Sequence, residues 1–409
     1  MLSDIDIENL ITPFTERQQA LEQYVIKVIA ERVNEIGTMS SSDLHKLQRL
    51  FETGSDVKKI NKALSEMTGI QIKDIKRLIR EVAQDSYIDV KPYYDYRHLS
   101  FIPLAQNNPL MNTIEAVSRQ TQKEFKNLSN SRMIGFVIRD RKHPKKVKFY
   151  NAAETYQTVI DEAIQAAQSG IVDYNTAMRK TLRQLNNSGL RRVYYESGYS
   201  QRMDTAVKRN ILDGIRQISQ QSRLITGEQF GADGVELTAH GYPAPDHAPF
   251  QGHRLTMAQW NKLQSNESFV DVDGERFPAQ ERIIGQWNCR HMAWPVILDA
   301  TKPIYTKKQL QAILDRNEKG VTLANGKHLT GYEVMQRQNE LALRVRQAKD
   351  GQIMALEAGD EELAKQYQRN VNKYTRQYKT FNRMYASKLG IGDRQIKTTV
   401  SGYRKISVK

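Results

Sequence analysis

The spacing of apolar residues constrains this chain more than any other feature of its sequence. Apolar side chains recur every three or four positions in several long stretches, which include 20–36, 70–83, 152–170, 172–189 and 204–231. Residues at this spacing lie on one face of an α-helix, because the helix completes a turn about every 3.6 residues. We therefore predict a mainly α-helical protein in which these apolar faces form the core.

A different pattern occupies residues 233–300, where short runs are separated by prolines and glycines. The run DGVELTAH predicts a strand, and FVDVDGERF predicts a hairpin that turns at Asp273 and Gly274. Another hairpin is predicted at 132–150, where two β-prone runs flank a basic loop that contains Pro144. These short elements predict that small sheets accompany the helices.

Helix signals return after residue 300. Thr306 and Thr330 each begin a capping box, and Gly359 with Asp360 predicts a turn between two helices. Together the patterns predict a multidomain protein that is mainly α with a small α+β domain. The predicted units are a helical N-terminal region at 1–90, a helical domain at 91–232 with a β-hairpin near 132–150, a small α+β domain at 233–300 that holds His and Cys residues, and a C-terminal helical hairpin with a basic tail at 301–409.

The overall composition narrows the class of protein. The chain has no long uncharged apolar run and no N-terminal signal pattern, so we expect no membrane contact. Its one cysteine, Cys289, cannot form an internal disulfide, which favours folding in a reducing cytoplasm. The net charge of +15 favours a polyanionic partner, most simply nucleic acid.

Much of this charge lies at the C-terminus, where residues 363–409 contain 12 Lys or Arg and one Asp. Spacing of three or four places the first basic residues on one helix face, where they could bind DNA phosphates or form only a solvated surface. A parallel aromatic stripe, which includes Tyr367 and Tyr378, is predicted to pack in the core, since stacking on bases needs exposed rings. The residues predicted to contact DNA are Lys365, Arg369, Lys373, Arg376, Lys379, Arg383, Lys388 and Arg394.

A group of histidines surrounds the single cysteine. His240 and His247 flank the loop GYPAPD, and Cys289 and His291 are separated by one residue, so both side chains would face the same side of an extended segment. A thiolate with two or three imidazoles could complete a tetrahedral zinc site. The alternative is a hydrogen-bonded core without metal, because the paired motifs of standard zinc modules are absent.

Enzymatic interpretations of the same residues are a metal-dependent nuclease and a hydrolase with a Cys/His nucleophile. The sequence contains no nucleophile elbow, P-loop or HExxH motif. We therefore predict that the protein is not an enzyme.

Two segments, 231–252 and 285–297, resemble the signature of the phage minor capsid protein 2 family of tailed phages. The residues that match this pattern are His240, His247, Gln251, Gly252, Asn288, Cys289 and His291. His253, which follows Gly252, is not part of the pattern. The helices at 173–217 and the C-terminal helices also resemble this family, so the likeness extends over roughly residues 150–390.

The resemblance implies a structural virion protein with a role similar to that of Mu F-like head-morphogenesis proteins. Such a protein would lie inside the capsid at the portal vertex, after assembly in the host cytoplasm. Its partners would be the portal protein, the major capsid protein and double-stranded DNA bound without sequence preference. It would aid head assembly, DNA packaging or ejection.

Overall fold

The computed structural model describes residues 4–39, 55–140, 143, 145–169, 174–193, 200–271, 274–280, 283–284, 289 and 291–392. Its helices are α1 (Asp4–Gly37), α2 (Ser55–Ile88), α3 (Lys91–Tyr96), α4 (Asn108–Leu128), α5 (Ala152–Ser169), α6 (Tyr174–Ser188), α7 (Met203–Phe230), α8 (Met257–Gln264), α9 (Lys307–Lys319), α10 (Gly331–Glu357) and α11 (Glu361–Phe381). Its strands are β1 (Ile134–Arg139), β2 (Val147–Asn151), β3 (Arg191–Val193), β4 (Ser200–Arg202), β5 (Gly234–Leu237), β6 (Arg254–Thr256), β7 (Phe269–Val270), β8 (Arg276–Phe277), β9 (Ala293–Val296), β10 (Val321–Thr322) and β11 (His328–Leu329). The predominance of helices and the small size of the sheets confirm the predicted fold class.

The largest apolar core lies in a helical body, which consists of α1, α2, α4–α7 and β1–β4. Within it, α7 packs against α1, α2 and α4. Ile29 of α1, Ile79 of α2 and Ile215 of α7 are all fully buried in this core. These residues belong to the apolar stripes of the sequence, so the three-and-four spacing does mark the faces that pack.

The strands of the helical body form one antiparallel sheet in the order β2-β1-β3-β4. β1 and β2 are the hairpin predicted near 132–150, with Val137 opposite Phe149. Ile134, Phe136 and Ile138 alternate along β1 and are buried against the helices. This alternation gives the sheet one apolar face, as the period of two in a strand requires.

A small domain is built from β5–β9 and α8. Its three-stranded antiparallel sheet has the order β6-β5-β9, and β5 confirms the strand predicted in DGVELTAH. The predicted hairpin is also confirmed, since Phe269 of β7 pairs with Phe277 of β8. Asp273 in its turn lies outside the described residues, and Gly274 has a positive φ of 83°. The core of this domain includes Leu255 and Trp260.

The C-terminal hairpin consists of α10 and α11. Its antiparallel register is set by side-chain hydrogen bonds from Gln352 to Gln368 at 2.6 Å and from Gln338 to Asn382 at 3.3 Å. Both predicted capping boxes are present, at the start of α9 and at the start of α10. Asp360 caps α11 by accepting a hydrogen bond from the Leu363 backbone N–H at 2.9 Å, as the sequence of the turn predicts.

The turn of this hairpin is held against the helical body. Arg179 of α6 forms an ion pair with Asp360, and Lys27 of α1 lies 3.1 Å from Glu357 of α10. Leu363 of α11 belongs to the same apolar core as α1 and α7. Met292 of the 233–300 unit belongs to it as well, so one core contains side chains from all four predicted units, and the boundaries between those units stay predictions.

A cluster of charged side chains lies where α1, α7 and α10 meet. Arg202 forms an ion pair with Glu22 at 3.1 Å, and Arg346 forms one with Asp204 at 3.0 Å. A third carboxyl group, that of Asp350, accepts a hydrogen bond from Gln23 at 2.6 Å. Desolvation and the nearby Glu22 carboxylate raise the pKa of Asp350 to about 7.

The long helices of the protein are amphipathic and carry charged side chains along their length. Among the residues that the structure describes, no helix is both long enough and apolar enough to span a membrane.

Candidate functional site

The pairing of β5 with β9 brings together the two segments that carry the histidines and the cysteine. Leu237 at the end of β5 is opposite Ala293 at the start of β9. Beyond this pair, the Thr238 backbone N–H donates to the Met292 carbonyl, and the Met292 N–H donates to the Thr238 hydroxyl, both at 2.9 Å. The loop that follows β5 and the segment that precedes β9 therefore lie side by side.

Three ligand-type side chains meet in the space between these segments: His247, Cys289 and His291. One nitrogen of each imidazole and the cysteine sulfur all lie within 4.8 Å of one another. The exposed fractions are 1% for His247, 3% for Cys289 and 1% for His291. Cys289 Sγ is 3.5 Å from His291 Nδ1, and the His291 backbone N–H donates to the same sulfur at 3.4 Å. The site is thus compact and closed to solvent.

Gln251 holds two of the histidines in place. Its Oε1 atom accepts a hydrogen bond from the His240 backbone N–H at 3.2 Å and lies 3.4 Å from His291 Nε2. Gln251 is itself buried. The family resemblance marked this residue without giving it a role, and the structure places it between the two histidine segments.

The other histidines and motif residues occupy distinct positions around the three. The His240 ring is half-buried, and its centroid is 4.4 Å from that of His291, but His240 is outside the mutually close set of three ligand atoms. Gly252 has a φ of 73°, which favours glycine, and packs next to Leu310 of α9. Asn288 lies outside the described residues.

His253 belongs to a separate group. Its ring packs edge-on against Phe277, and one of its nitrogens lies within 4.8 Å of carboxylate oxygens of Asp271 and Glu275. Glu275 is exposed and the other two residues are half-buried. This second group of ligand-type side chains was not predicted from the sequence.

Two buried arginines of α7, Arg216 and Arg223, face the region of the site. Burial lowers the pKa of Arg216, and its electrostatic interaction with Cys289 opposes that shift. Burial also lowers the pKa of Arg223 to about 10 against the opposing effect of Asp89, whose carboxylate is 3.2 Å away. The guanidinium of Arg223 lies 4.0 Å from the centre of the Trp294 ring. Sequence reasoning missed both residues, although each interrupts the buried side of α7.

A sequence model of the phage minor capsid protein 2 family matches residues 2–382. The chain belongs to this family. The match confirms the resemblance and extends it over the N-terminal helices, for which the motifs carried no information. Comparison with curated proteins and with solved structures found no significant match. Membership of the phage minor capsid protein 2 family makes the chain a bacteriophage virion protein and favours a structural role.

This minor capsid protein has a continuous basic face along α11 and the turns that follow it. The side chains are exposed for Lys365, Arg369, Lys373, Arg376, Lys379, Arg383 and Lys388. Lys365 lies 3.6 Å from Glu361, whereas no described carboxylate forms an ion pair with the other six. Arg394 lies outside the described residues.

The aromatic stripe of α11 lies on the opposite face. Tyr367, Tyr378 and Phe381 are buried, and Tyr374 and Tyr385 are half-buried against the cluster formed with α10. The predicted packing of the tyrosines in the core is therefore confirmed. The same packing holds the basic residues in a fixed row on the outer face of the helix.

Proposed function

We propose that this minor capsid protein lies inside the capsid at the portal vertex and contacts packaged double-stranded DNA through the basic face of α11. The observation that carries the proposal is the row of exposed basic side chains on α11, most of which have no acidic partner among the described residues. Each such cation can neutralise a phosphate and release a counterion on binding. Contacts of this kind depend on backbone charge and carry no base sequence information.

The burial of the aromatic rings and the charge beside the row favour double-stranded over single-stranded DNA as the ligand of the basic face. Stacking on unpaired bases needs exposed aromatic rings, and the rings of Tyr367 and Tyr378 are buried. The open groove beside the row is lined by Lys349 of α10 together with Arg376, Lys379 and Arg383. Four cations around one groove favour a polyanionic backbone as its occupant.

The contact with the portal protein, and with the major capsid protein, is proposed for the end of α2 and the residues that follow it. Its support is three exposed apolar side chains within residues 88–99, which also carry exposed charged side chains. Ile88 is 51% exposed, Tyr96 58% and Leu99 43%. Large apolar side chains that lie close together on a surface are typical of protein interfaces. In this arrangement the body holds the protein to the head shell, and the basic face turns toward the DNA.

The DNA contact can be tested with the triple variant Arg376→Gln, Lys379→Gln, Arg383→Gln. Deletion of the basic tail is less informative, because Leu363 and Tyr367 belong to the main core. The slope of log affinity against log salt falls by about 0.9 for each phosphate that the protein no longer neutralises, so removal of three cations reduces it by roughly 2.7. At about 0.1 M salt this corresponds to affinity weaker by up to roughly 500-fold.

A matched control is available in α2. The variant Lys73→Gln, Lys76→Gln, Arg80→Gln removes three cations with the same sequence spacing from the helical body. We expect this control variant to show the same salt slope as the wild type. We also expect it to bind two duplexes of unrelated sequence with the same affinity. An unchanged slope in the α11 variant, or equal reductions in both variants, would refute the assignment of the DNA contact to α11.

A further inference from the structure

We propose that His247, Cys289 and His291 bind one structural zinc ion. The set combines a thiolate donor with two imidazoles, which are the ligands that zinc prefers in proteins. All three side chains are buried, as is usual for a structural site and unusual for one that must admit a substrate. This inference is independent of the proposed DNA and portal contacts.

The distance between two of the donors already suits a shared tetrahedral ion. Zinc lies about 2.3 Å from sulfur and about 2.0–2.1 Å from nitrogen, so an S···N edge of the tetrahedron measures about 3.5 Å. Cys289 Sγ and His291 Nδ1 are 3.5 Å apart. The third donor, on His247, lies within 4.8 Å of both.

Contacts around the donors favour the protonation states that bind metal. With Gln251 Oε1 3.4 Å from Nε2, the His291 ring can keep its proton on Nε2 and present Nδ1 to the ion. The His291 backbone N–H points at Cys289 Sγ from 3.4 Å, as a hydrogen bond to a metal-binding sulfur does. In known zinc sites, hydrogen bonds of this kind fix the orientation and protonation state of the ligands.

The ion would join two segments that are about 40 residues apart in sequence. The small domain has a modest apolar core, to which Cys289 itself belongs. A metal bound only by the folded state stabilises that state, and closing a long loop increases the effect. The His240 ring packs against His291 beside the three donors, with the two ring centroids 4.4 Å apart.

The first test uses the full-length, tag-free chain purified without chelators. Elemental analysis is expected to find about one zinc per chain, and cobalt substitution is expected to produce a sulfur-to-metal charge-transfer band in the unmodified protein. Chelation is expected to shift the unfolding curve to lower denaturant concentration. Tryptophan fluorescence reports this unfolding, because all three tryptophans, Trp260, Trp287 and Trp294, lie in 233–300. A metal-free protein whose unfolding responds to neither zinc nor chelator would overturn the proposal without reliance on any variant.

The second test locates the ion. Cys289→Ser and His247→Ala are each expected to weaken zinc binding by roughly 100-fold or more, and Cys289→Ser should abolish the charge-transfer band. His328→Ala, at an exposed position in β11, is the control and should keep the wild-type zinc content. Zinc that is retained in His247→Ala and absent from His253→Ala would place the ion at the His253, Asp271 and Glu275 group instead and so refute the proposed ligands.

Discussion

Asp350 provides a sharp test of the charged cluster between α1, α7 and α10. Two arginines of this cluster form ion pairs with Glu22 and Asp204, while Asp350 is hydrogen-bonded to Gln23 and has a pKa raised to about 7. An acid whose folded pKa is raised binds its proton more tightly in the folded state. Its contribution to stability is therefore present at low pH and is lost as the pH rises from about 4 toward 7.

The magnitude follows from the difference between the two pKa values. An unfolded aspartate has a pKa of about 3.9, so a folded value of about 7 corresponds to roughly 4 kcal/mol of unfolding free energy lost by pH 8. About 3 kcal/mol of this loss falls between pH 5 and pH 8, and partial solvent access to the half-buried Asp350 side chain reduces it to about 2 kcal/mol. Asp350→Asn keeps an acceptor for Gln23 and has no proton to lose, so the variant should escape this loss.

Urea unfolding at pH 5 and pH 8, followed by far-UV circular dichroism, measures the effect. We expect the stability of Asp350→Asn relative to the wild type to increase by about 2 kcal/mol between the two pH values. Asp161→Asn is the matched control, because Asp161 also accepts a hydrogen bond from a glutamine side chain but is exposed. A relative stability of Asp350→Asn that is the same at both pH values would refute the reasoning.

Two further predictions concern packing and partner binding. Gly351→Ala should destabilise the protein by about 1–3 kcal/mol, because the new Cβ would lie 2.3 Å from a ring carbon of Tyr367, whereas Gly69→Ala, with open space around it in α2, should stabilise it by up to about 1 kcal/mol. Thermal unfolding of both variants checks this pair, and a change of the same sign in both would contradict it. Ile88→Glu should reduce copurification with the portal protein of the same phage, while Val147→Glu, at another exposed apolar position, should not; equal recovery of the portal protein with both variants would exclude Ile88 from the interface.

Local features of the fold could be predicted from the sequence because local physics determines them. The capping boxes at Thr306 and Thr330 depend on hydrogen bonds within a single turn, and both are present. The buried tyrosines of α11 followed from helical spacing in the same way. In each case the residues that decide the structure lie within a few positions of one another.

Features that depend on contacts between distant segments could be predicted only in part. Spacing predicted that Cys289 and His291 face the same side, but nothing in the sequence placed Gln251 between two histidine segments. The raised pKa of Asp350 and the burial of Arg223 likewise arise from helices that meet only in the folded protein. Tertiary packing determines such environments, so periodicity within one helix cannot reveal them.

The C-terminal hairpin has a mechanical consequence that follows from how its two ends are held. α10 has 27 residues and is about 40 Å long, so the hairpin acts as an arm clamped at its turn to the helical body. The other end of the hairpin, where α10 begins and α11 ends, contacts Tyr242. The Tyr242 ring packs against Gly331, and its hydroxyl donates a hydrogen bond to the Leu389 carbonyl. Tyr242 belongs to the loop that carries His240 and His247. Part of any force that DNA exerts on this end of the arm is therefore transmitted to the loop that carries the two histidines, so the stability of the histidine cluster and the position of the basic face are mechanically linked.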